Sequence, residues 1–293
     1  MPTTEVPSQA SPRVIPFSAH NRQELRSWYS CHDKLKLDAE SYTPAESRRL
    51  VLFGDSITES WRGTSYCRGM PRTKGVPAAL NDTLGVKWPA PVALGIAADC
   101  TQHLLWRLQN GELTPLMSRD PKLTMVLLIG TNNLGHGDSV DATTEGILAV
   151  SHALLNNTRA SLLVNALLPR GDRRKRRKKV GASLGFGYSD DIVAVNAAVK
   201  AAVATQLEGA YPGRSRFVDC GGPFLAPSAK GTAASIGLAA AGGTMEPAAI
   251  PPQTTRRPEF VRRELMPDRL HPNAAGHRLW GACLSNALGG SGW

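Results

Sequence analysis

Gly54-Asp55-Ser56 places a serine hydroxyl at the point where an apolar run, residues 50–53, gives way to residues able to form a helix. That order reads as a buried strand turning sharply into a helix. The turn holds the hydroxyl clear of the sheet, and the N–H groups of the new helix point at the same spot. Such a serine becomes a nucleophile when a histidine takes its proton, a carboxylate orients that histidine and donors receive a tetrahedral oxyanion. The same tripeptide also serves as a plain tight turn and helix cap, because Asp and Ser favour both on backbone grounds. A histidine and a carboxylate do occur together, in Asp268-Arg269-Leu270-His271-Pro272. Three residues apart in one turn, Asp268 can hold the Nδ1–H of His271 while Nε2 faces the serine.

Elements able to hold these residues are spread along the chain. Residues 91–94 form a short strand candidate followed by Gly95 to Thr101, and residues 101–110 carry Leu104, Leu105 and Leu108 at helical spacing before Asn110-Gly111. Residues 123–129 are the clearest buried strand, delivering Gly130-Thr131-Asn132-Asn133 at its end. A long helix is expected over 142–160, a strand over 161–168, a helix over 192–207 and a last strand over 216–219. Residues 21–47 suggest a helix or strap around Trp28 and Tyr29, and residues 62–88, with Gly63, Gly69, Pro71, Gly75 and Pro77, an irregular connection bordering the site. Pro272-Asn273 opens a final helix with Leu279, Trp280, Cys283, Leu284 and Leu288 on its core side. Wholly apolar strands alternating with helices imply a parallel sheet covered on both faces, with ligands at the carboxyl ends where Ser56, Ala98 and Asn132 gather.

With 293 residues the chain can bury one core of ordinary α/β size. No run approaches the roughly 18 apolar residues of a membrane span. Residues 1–20 carry four prolines and no apolar core, which reads as a disordered arm rather than a signal peptide; residues 21–293 then form a single domain. Residues 227–260 make a low-complexity insertion or lid rich in Ala, Gly and Pro. Five cysteines, at 31, 67, 100, 220 and 283, contain no Cys-x-x-Cys pair, which argues against a zinc site and a disulfide scaffold and for reduced thiols in a cytoplasmic protein. Two sequons, Asn81-Asp82-Thr83 and Asn156-Asn157-Thr158, stand against that location.

The net charge of +10 is local. Residues 170–179 hold eight basic side chains and one acid, a net of +7, which leaves +3 for the remaining chain. This insertion, near residues 170–188, reads as a solvated loop in preference to a contact for nucleic acid or an anionic membrane.

Taken together the motifs resemble those of the SGNH or GDSL hydrolases: Gly54-Asp55-Ser56 the first block, Gly95 to Asp99 the second, Gly130-Thr131-Asn132-Asn133 the third and Asp268 to His271 the last. Residues 104–113 and Leu167-Leu168-Pro169-Arg170-Gly171 are similar to the catalytic α subunits of platelet-activating-factor acetylhydrolase and related esterases. The resemblance implies a flavodoxin-like α/β fold, a three-layer α/β/α sandwich about a central parallel sheet. It also implies a serine esterase with Ser56 as nucleophile, His271 as base and Asp268 as its orienter. Its oxyanion hole would use the N–H groups of Ser56 and Ala98 and the side-chain amide of Asn132. Ala97 and Ala98 stand where the family usually has glycine; a positive φ at Ala98 would add strain of roughly 1–2 kcal/mol.

No metal or cofactor is expected, and His20, His32, His103, His136, His152 and His277 are isolated. The expected partner is a small-molecule ester with a short acyl group, such as an acetyl ester of a lipid or sugar. A carbohydrate acetylesterase, a lysophospholipase or a thioesterase would use the same blocks. An idle hydrolase fold that binds through its basic loop is the alternative of a different class. The resembling α subunits form dimers, which makes a homodimer one expectation.

Overall fold

Strands that are apolar along their whole length need cover on both faces, and the computed structural model shows that arrangement over the residues it describes: 6–11, 13, 22–44, 49–171, 188–226 and 261–289. In chain order the elements begin with α1 (Arg22–Glu40), β1 (Arg49–Gly54) and the short α2 (Ser56–Glu59). A small hairpin follows, β2 (Thr64–Ser65) and β3 (Arg68–Gly69), then α3 (Val76–Thr83), β4 (Val92–Gly95) and α4 (Thr101–Arg107). The middle of the chain forms α5 (Pro115–Arg119), β5 (Leu123–Leu128), α6 (Thr131–His136), α7 (Val140–Asn156) and β6 (Ser161–Asn165). After α8 (Ser189–Ala202), α9 (Glu208–Ala210) and β7 (Ser215–Val218), α10 (Ala274–Leu288) completes the domain.

The five long strands form one parallel sheet in the order β4-β1-β5-β6-β7. Every residue of β5 is buried, as are residues 50–54 of β1 and 162–165 of β6. Helices cover both faces, giving the α/β/α sandwich expected from the sequence. Beyond β1, Trp61 stacks on Trp280 of α10 with ring centroids 5.2 Å apart.

Register carries the functional consequence. Gly54 at the end of β1 pairs with Gly95 on β4 and Leu128 on β5, so the loops after these three strands leave the sheet side by side. Both glycines are sterically required: a Cβ on Gly54 would lie 2.3 Å from the Leu128 carbonyl oxygen, and one on Gly95 would lie 2.5 Å from that of Asp55. The close approach lets α2 start directly above the sheet.

Several elements depart from the expectations. Strand β6 ends at Asn165, and α4 passes at residue 108 into one wide turn closed by Gly111 at φ 112°. The stretch after the serine is the β2–β3 hairpin and α3 rather than wholly irregular. Leu279 on α10 is exposed, while Trp280, Leu284 and Leu288 are buried.

Part of the arm read as disordered is docked. Pro7 and Arg13 are buried; Thr101 Oγ1 donates to the Pro7 carbonyl at 2.8 Å, and the Ser11 N–H to that of Gln102 at 3.2 Å. The low-complexity insertion at 227–260 and residues 172–187 of the basic insertion lie outside the described residues. Arg170 does not belong to a solvated loop: it is buried, donates to the Thr131 carbonyl at 2.7 Å and lies over the Tyr188 ring.

The cysteines also differ from expectation. Cys31–Cys67 and Cys220–Cys283 are disulfides, tying α1 to the β2–β3 turn and the end of β7 to α10. Neither pair is close in sequence, so the spacing gave no warning. Among the described residues no helix is long and apolar enough to cross a membrane.

Candidate active site

Asp55 initiates α2 by accepting the Ile57 N–H at 2.9 Å, which leaves Ser56 as the first helical residue above the sheet. Ser56 Oγ lies 2.9 Å from His271 Nε2, and His271 Nδ1 lies 2.6 Å from Asp268 Oδ2. The other oxygen, Asp268 Oδ1, accepts the backbone N–H groups of Leu270 at 3.0 Å and His271 at 2.7 Å. Burial pushes the Asp268 carboxyl up, but these bonds from His271 and Leu270 outweigh it and hold the group well below the usual carboxylate range. Arg269 adopts a left-handed φ of 63°, which lets the chain turn tightly enough for Asp268 and His271 to face each other. Its carbonyl accepts the Gly171 N–H at 2.8 Å, stapling this turn to the segment after β6.

The loops after β4 and β5 meet beside the serine. Ala98 takes φ 62°, the left-handed conformation in which its Cβ is strained. Asn132, in the first turn of α6, is buried, and its Nδ2 donates to the Asp99 carbonyl at 2.8 Å. One Nδ2 hydrogen is thereby used and the amide is fixed, with its second hydrogen left over. Asn133 Oδ1 accepts the Thr101 N–H at 3.0 Å and so ties the β5 loop to the start of α4.

Buried charge supports the loops from behind. Arg107 is fully buried: its Nε donates to Asp99 Oδ2 at 2.8 Å, its Nη1 pairs with Glu112, and its Nη2 donates to the Gly54 carbonyl at 3.1 Å. Trp28 Nε1 donates to Asp99 Oδ1 at 2.6 Å, and Glu112 Oε1 meets His32 Nδ1 at 2.8 Å. Glu59 accepts the N–H groups of Tyr66, Cys67 and Ala97 and the Thr64 hydroxyl. Asp55 is the exception. Its Oδ2 has no hydrogen-bond partner among the described residues, and burial, reinforced by the charge of Asp99 against the Ile57 N–H, Arg170 and Arg72, pushes the carboxyl up to about 7.

Five of the six other histidines lie among the described residues, with partners elsewhere. His32 faces Glu112, His103 Nδ1 accepts the Cys100 N–H, His136 Nδ1 lies 3.7 Å from Cys100 Sγ, and His152 meets the Tyr211 hydroxyl. His277 is buried under α2, its Nε2 3.2 Å from the Ile57 carbonyl. His20 lies outside the described residues. Cys31, Glu59 and Cys67 are close enough to share a metal, but the two sulfurs are bonded to each other.

Sequence reasoning identified Ser56, Ala98, Asn132, Asp268 and His271, and the structure joins Ser56, His271 and Asp268 in one hydrogen-bonded chain. It missed Glu59, Arg107 and Arg13. A glutamate three residues after the serine was the one available signal for Glu59; nothing local marks the arginines.

Residues 52–234 match the model of the GDSL-like lipase/acylhydrolase family. The platelet-activating factor acetylhydrolase IB subunit alpha2 of Rattus norvegicus is 32% identical over 183 residues, covering 60% of this chain and 68% of that protein. Among solved structures, a putative acylhydrolase from Bacteroides fragilis superposes with a TM-score of 0.58 at 15% identity, over 88% of this chain and 95% of the other. A putative platelet activating factor from Streptococcus pneumonia gives 0.56 at 18%, over 90% and 94%. The chain belongs to the GDSL-like lipase/acylhydrolase family and is an ester-hydrolysing enzyme.

Proposed function

We propose that the chain is a serine esterase that cleaves carboxylic esters with short acyl groups, acetyl esters foremost, through an acyl-enzyme. The carrying observation is the chain Ser56 Oγ, His271 Nε2, His271 Nδ1, Asp268 Oδ2, with contacts of 2.9 and 2.6 Å. Ser56 Oγ attacks the ester carbon as its proton passes to Nε2, and Asp268 stabilises the resulting imidazolium. The carbonyl oxygen becomes an oxyanion received by the Ser56 and Ala98 N–H groups and the spare Asn132 Nδ2 hydrogen. Collapse expels the alkoxide, which takes the proton from Nε2; a water molecule then repeats both transfers and frees the acid. With Ser56 buried and His271 partly exposed, the base stands where an alcohol can leave to solvent.

The acetyl preference is supported by the name of the alpha2 relative, an acetylhydrolase; the alcohol is left open between lipid and sugar. Two disulfides favour maturation in an oxidising compartment over the cytoplasm. Hydrolysis of p-nitrophenyl acetate, butyrate and octanoate by wild type and Ser56→Ala, with covalent fluorophosphonate labelling, tests the reading. Turnover falling with chain length and lost with the serine is expected; turnover that survives Ser56→Ala defeats it.

A further inference from the structure

Arg13 is an arginine on the N-terminal arm that is 1% exposed, far from any surface role. Its Nη1 donates to the Ala97 carbonyl and to the Tyr66 hydroxyl, both at 3.0 Å, and its Nη2 pairs with Glu24. The Tyr66 hydroxyl in turn donates to Glu24 at 2.7 Å, closing a ring of three side chains. The Ala97 N–H is held from the other side by Glu59 at 2.7 Å.

The peptide between Ala97 and Ala98 is therefore gripped at its oxygen. It is trans, so its C=O and N–H point in opposite directions, and fixing the oxygen on Arg13 fixes the direction of the Ala98 N–H. This peptide leads into Ala98 at φ 62°, a conformation alanine does not hold by preference. A cationic donor on the carbonyl also polarises the peptide and strengthens its N–H as a donor.

We propose that Arg13 is a positioning residue for ester hydrolysis: the N-terminal arm reaches back to the second loop and locks the Ala97–Ala98 peptide so that the Ala98 N–H is aimed as an oxyanion donor. The inference rests on the esterase reading above. A buried guanidinium is expensive to desolvate, and a hydrocarbon side chain would fill the same space without that penalty; setting a peptide plane is a task that needs the charge and the fork. Residues 6–11 secure the arm through the Pro7 and Ser11 bonds to α4.

The test compares wild type, Ser56→Ala, Arg13→Lys and Arg13→Met as full chains on p-nitrophenyl acetate and its thiono analogue, whose sulfur accepts hydrogen bonds weakly. An intact hole discriminates strongly between the two, and the ratio of their kcat/KM values is indifferent to how much enzyme is folded. Arg13→Met is expected to lose about ten- to a hundredfold in kcat with KM within about threefold, and about fivefold or more of the oxygen-over-sulfur ratio. Arg13→Lys, which keeps a cation for the Ala97 carbonyl, should lie between, and carries the same comparison should Arg13→Met not fold. An unchanged ratio in whichever variant folds, beside an inactive Ser56→Ala, overturns the role of Arg13, even where kcat falls. Hydrolysis by Ser56→Ala equal to wild type overturns the esterase reading itself and this inference with it.

Discussion

The four-residue helix that presents Ser56 is gripped by two buried titratable groups whose proton affinities move in opposing senses. Asp55 accepts the Ile57 N–H, and burial pushes its carboxyl from 3.8 up to about 7. His277 lies against the Ile57 carbonyl, and burial pulls its ring from 6.5 down to about 4. Because the folded state favours neutral Asp55, that group's contribution to stability is complete below about pH 4 and is lost as pH rises through about 7. Because the folded state also favours neutral His277, its contribution is complete above about pH 6.5 and is lost as pH falls through about 4. At about 1.4 kcal/mol per pH unit, acidifying from pH 7.5 to 4.5 makes the Asp55 contribution about 3 kcal/mol more favourable and the His277 contribution about 2–3 kcal/mol less favourable.

The two nearly offset in the wild type, so each becomes visible when the other is removed. Asp55→Asn keeps an oxygen for the Ile57 N–H but cannot ionise; His277→Gln keeps a donor for the Ile57 carbonyl. Urea unfolding of the three proteins at pH 7.5, 6.5, 5.5 and 4.5 reads the contributions as differences, from which every group common to all three drops out. Relative to wild type, Asp55→Asn should lose about 3 kcal/mol over that acidification and His277→Gln should gain about 2–3 kcal/mol. Variants whose stability runs parallel to wild type across the range would refute the claim that burial sets these two affinities.

Asn132→Ala should lower kcat by about a hundred- to a thousandfold while far-ultraviolet circular dichroism stays unchanged; wild-type turnover would remove Asn132 from the hole. Thiol titration of the unreduced chain in denaturant should find one reactive cysteine, Cys100, since the other four are paired; five would show that the disulfides do not form. Ala98→Gly relieves the strain of a left-handed alanine, roughly 1–2 kcal/mol, against roughly 0.5–1 kcal/mol of added chain entropy in the unfolded state. Urea unfolding should therefore show unchanged or slightly raised stability, and a loss above about 1 kcal/mol would mean that φ 62° carries no strain there.

What the sequence disclosed depended on the range over which its signals act. The strands around Ser56 and Asn132 are short apolar runs ending at glycine, and they declare themselves locally. Asp268 and His271 are legible as a pair because three residues in one turn suffice to bring them together. Cys31 and Cys67 are 36 residues apart and Cys220 and Cys283 are 63 apart, and only the packing of α1 and α10 decides that each pair can bond. Arg170 looked like the first of eight basic residues in a loop, yet its neighbour in space is the Thr131 carbonyl. Arg13 sat in a proline-rich stretch with no periodicity, where composition speaks of disorder and says nothing of a carboxylate ring waiting at Glu24.

Arginine recurs at one kind of place. Arg13 holds the Ala97 carbonyl, Arg62 the Ala93 and Gly95 carbonyls, Arg107 that of Gly54 and Arg170 that of Thr131. All but the Ala93 oxygen, which lies within the edge strand β4, sit at or just beyond the carboxyl ends of β1, β4 or β5, where chain leaving the sheet loses its ladder partners and needs another donor. A guanidinium suits this because its planar fork offers a carbonyl and a carboxylate separate nitrogens in fixed directions, whereas an ammonium presents its three donors from a single nitrogen on a flexible stem. Arg107 makes the demand sharpest, serving Asp99, Glu112 and the Gly54 carbonyl from three different nitrogens in full burial. Arg107→Lys keeps the charge but can reach only part of that set, leaving a buried carboxylate or carbonyl short of a donor, so urea unfolding should register a loss of about 2–4 kcal/mol. Turnover should fall as well, because the Gly54 carbonyl and Asp99 flank the serine and the Ala98 peptide. A change below about 1 kcal/mol would show that charge alone holds these loops and that the geometry of the fork is incidental.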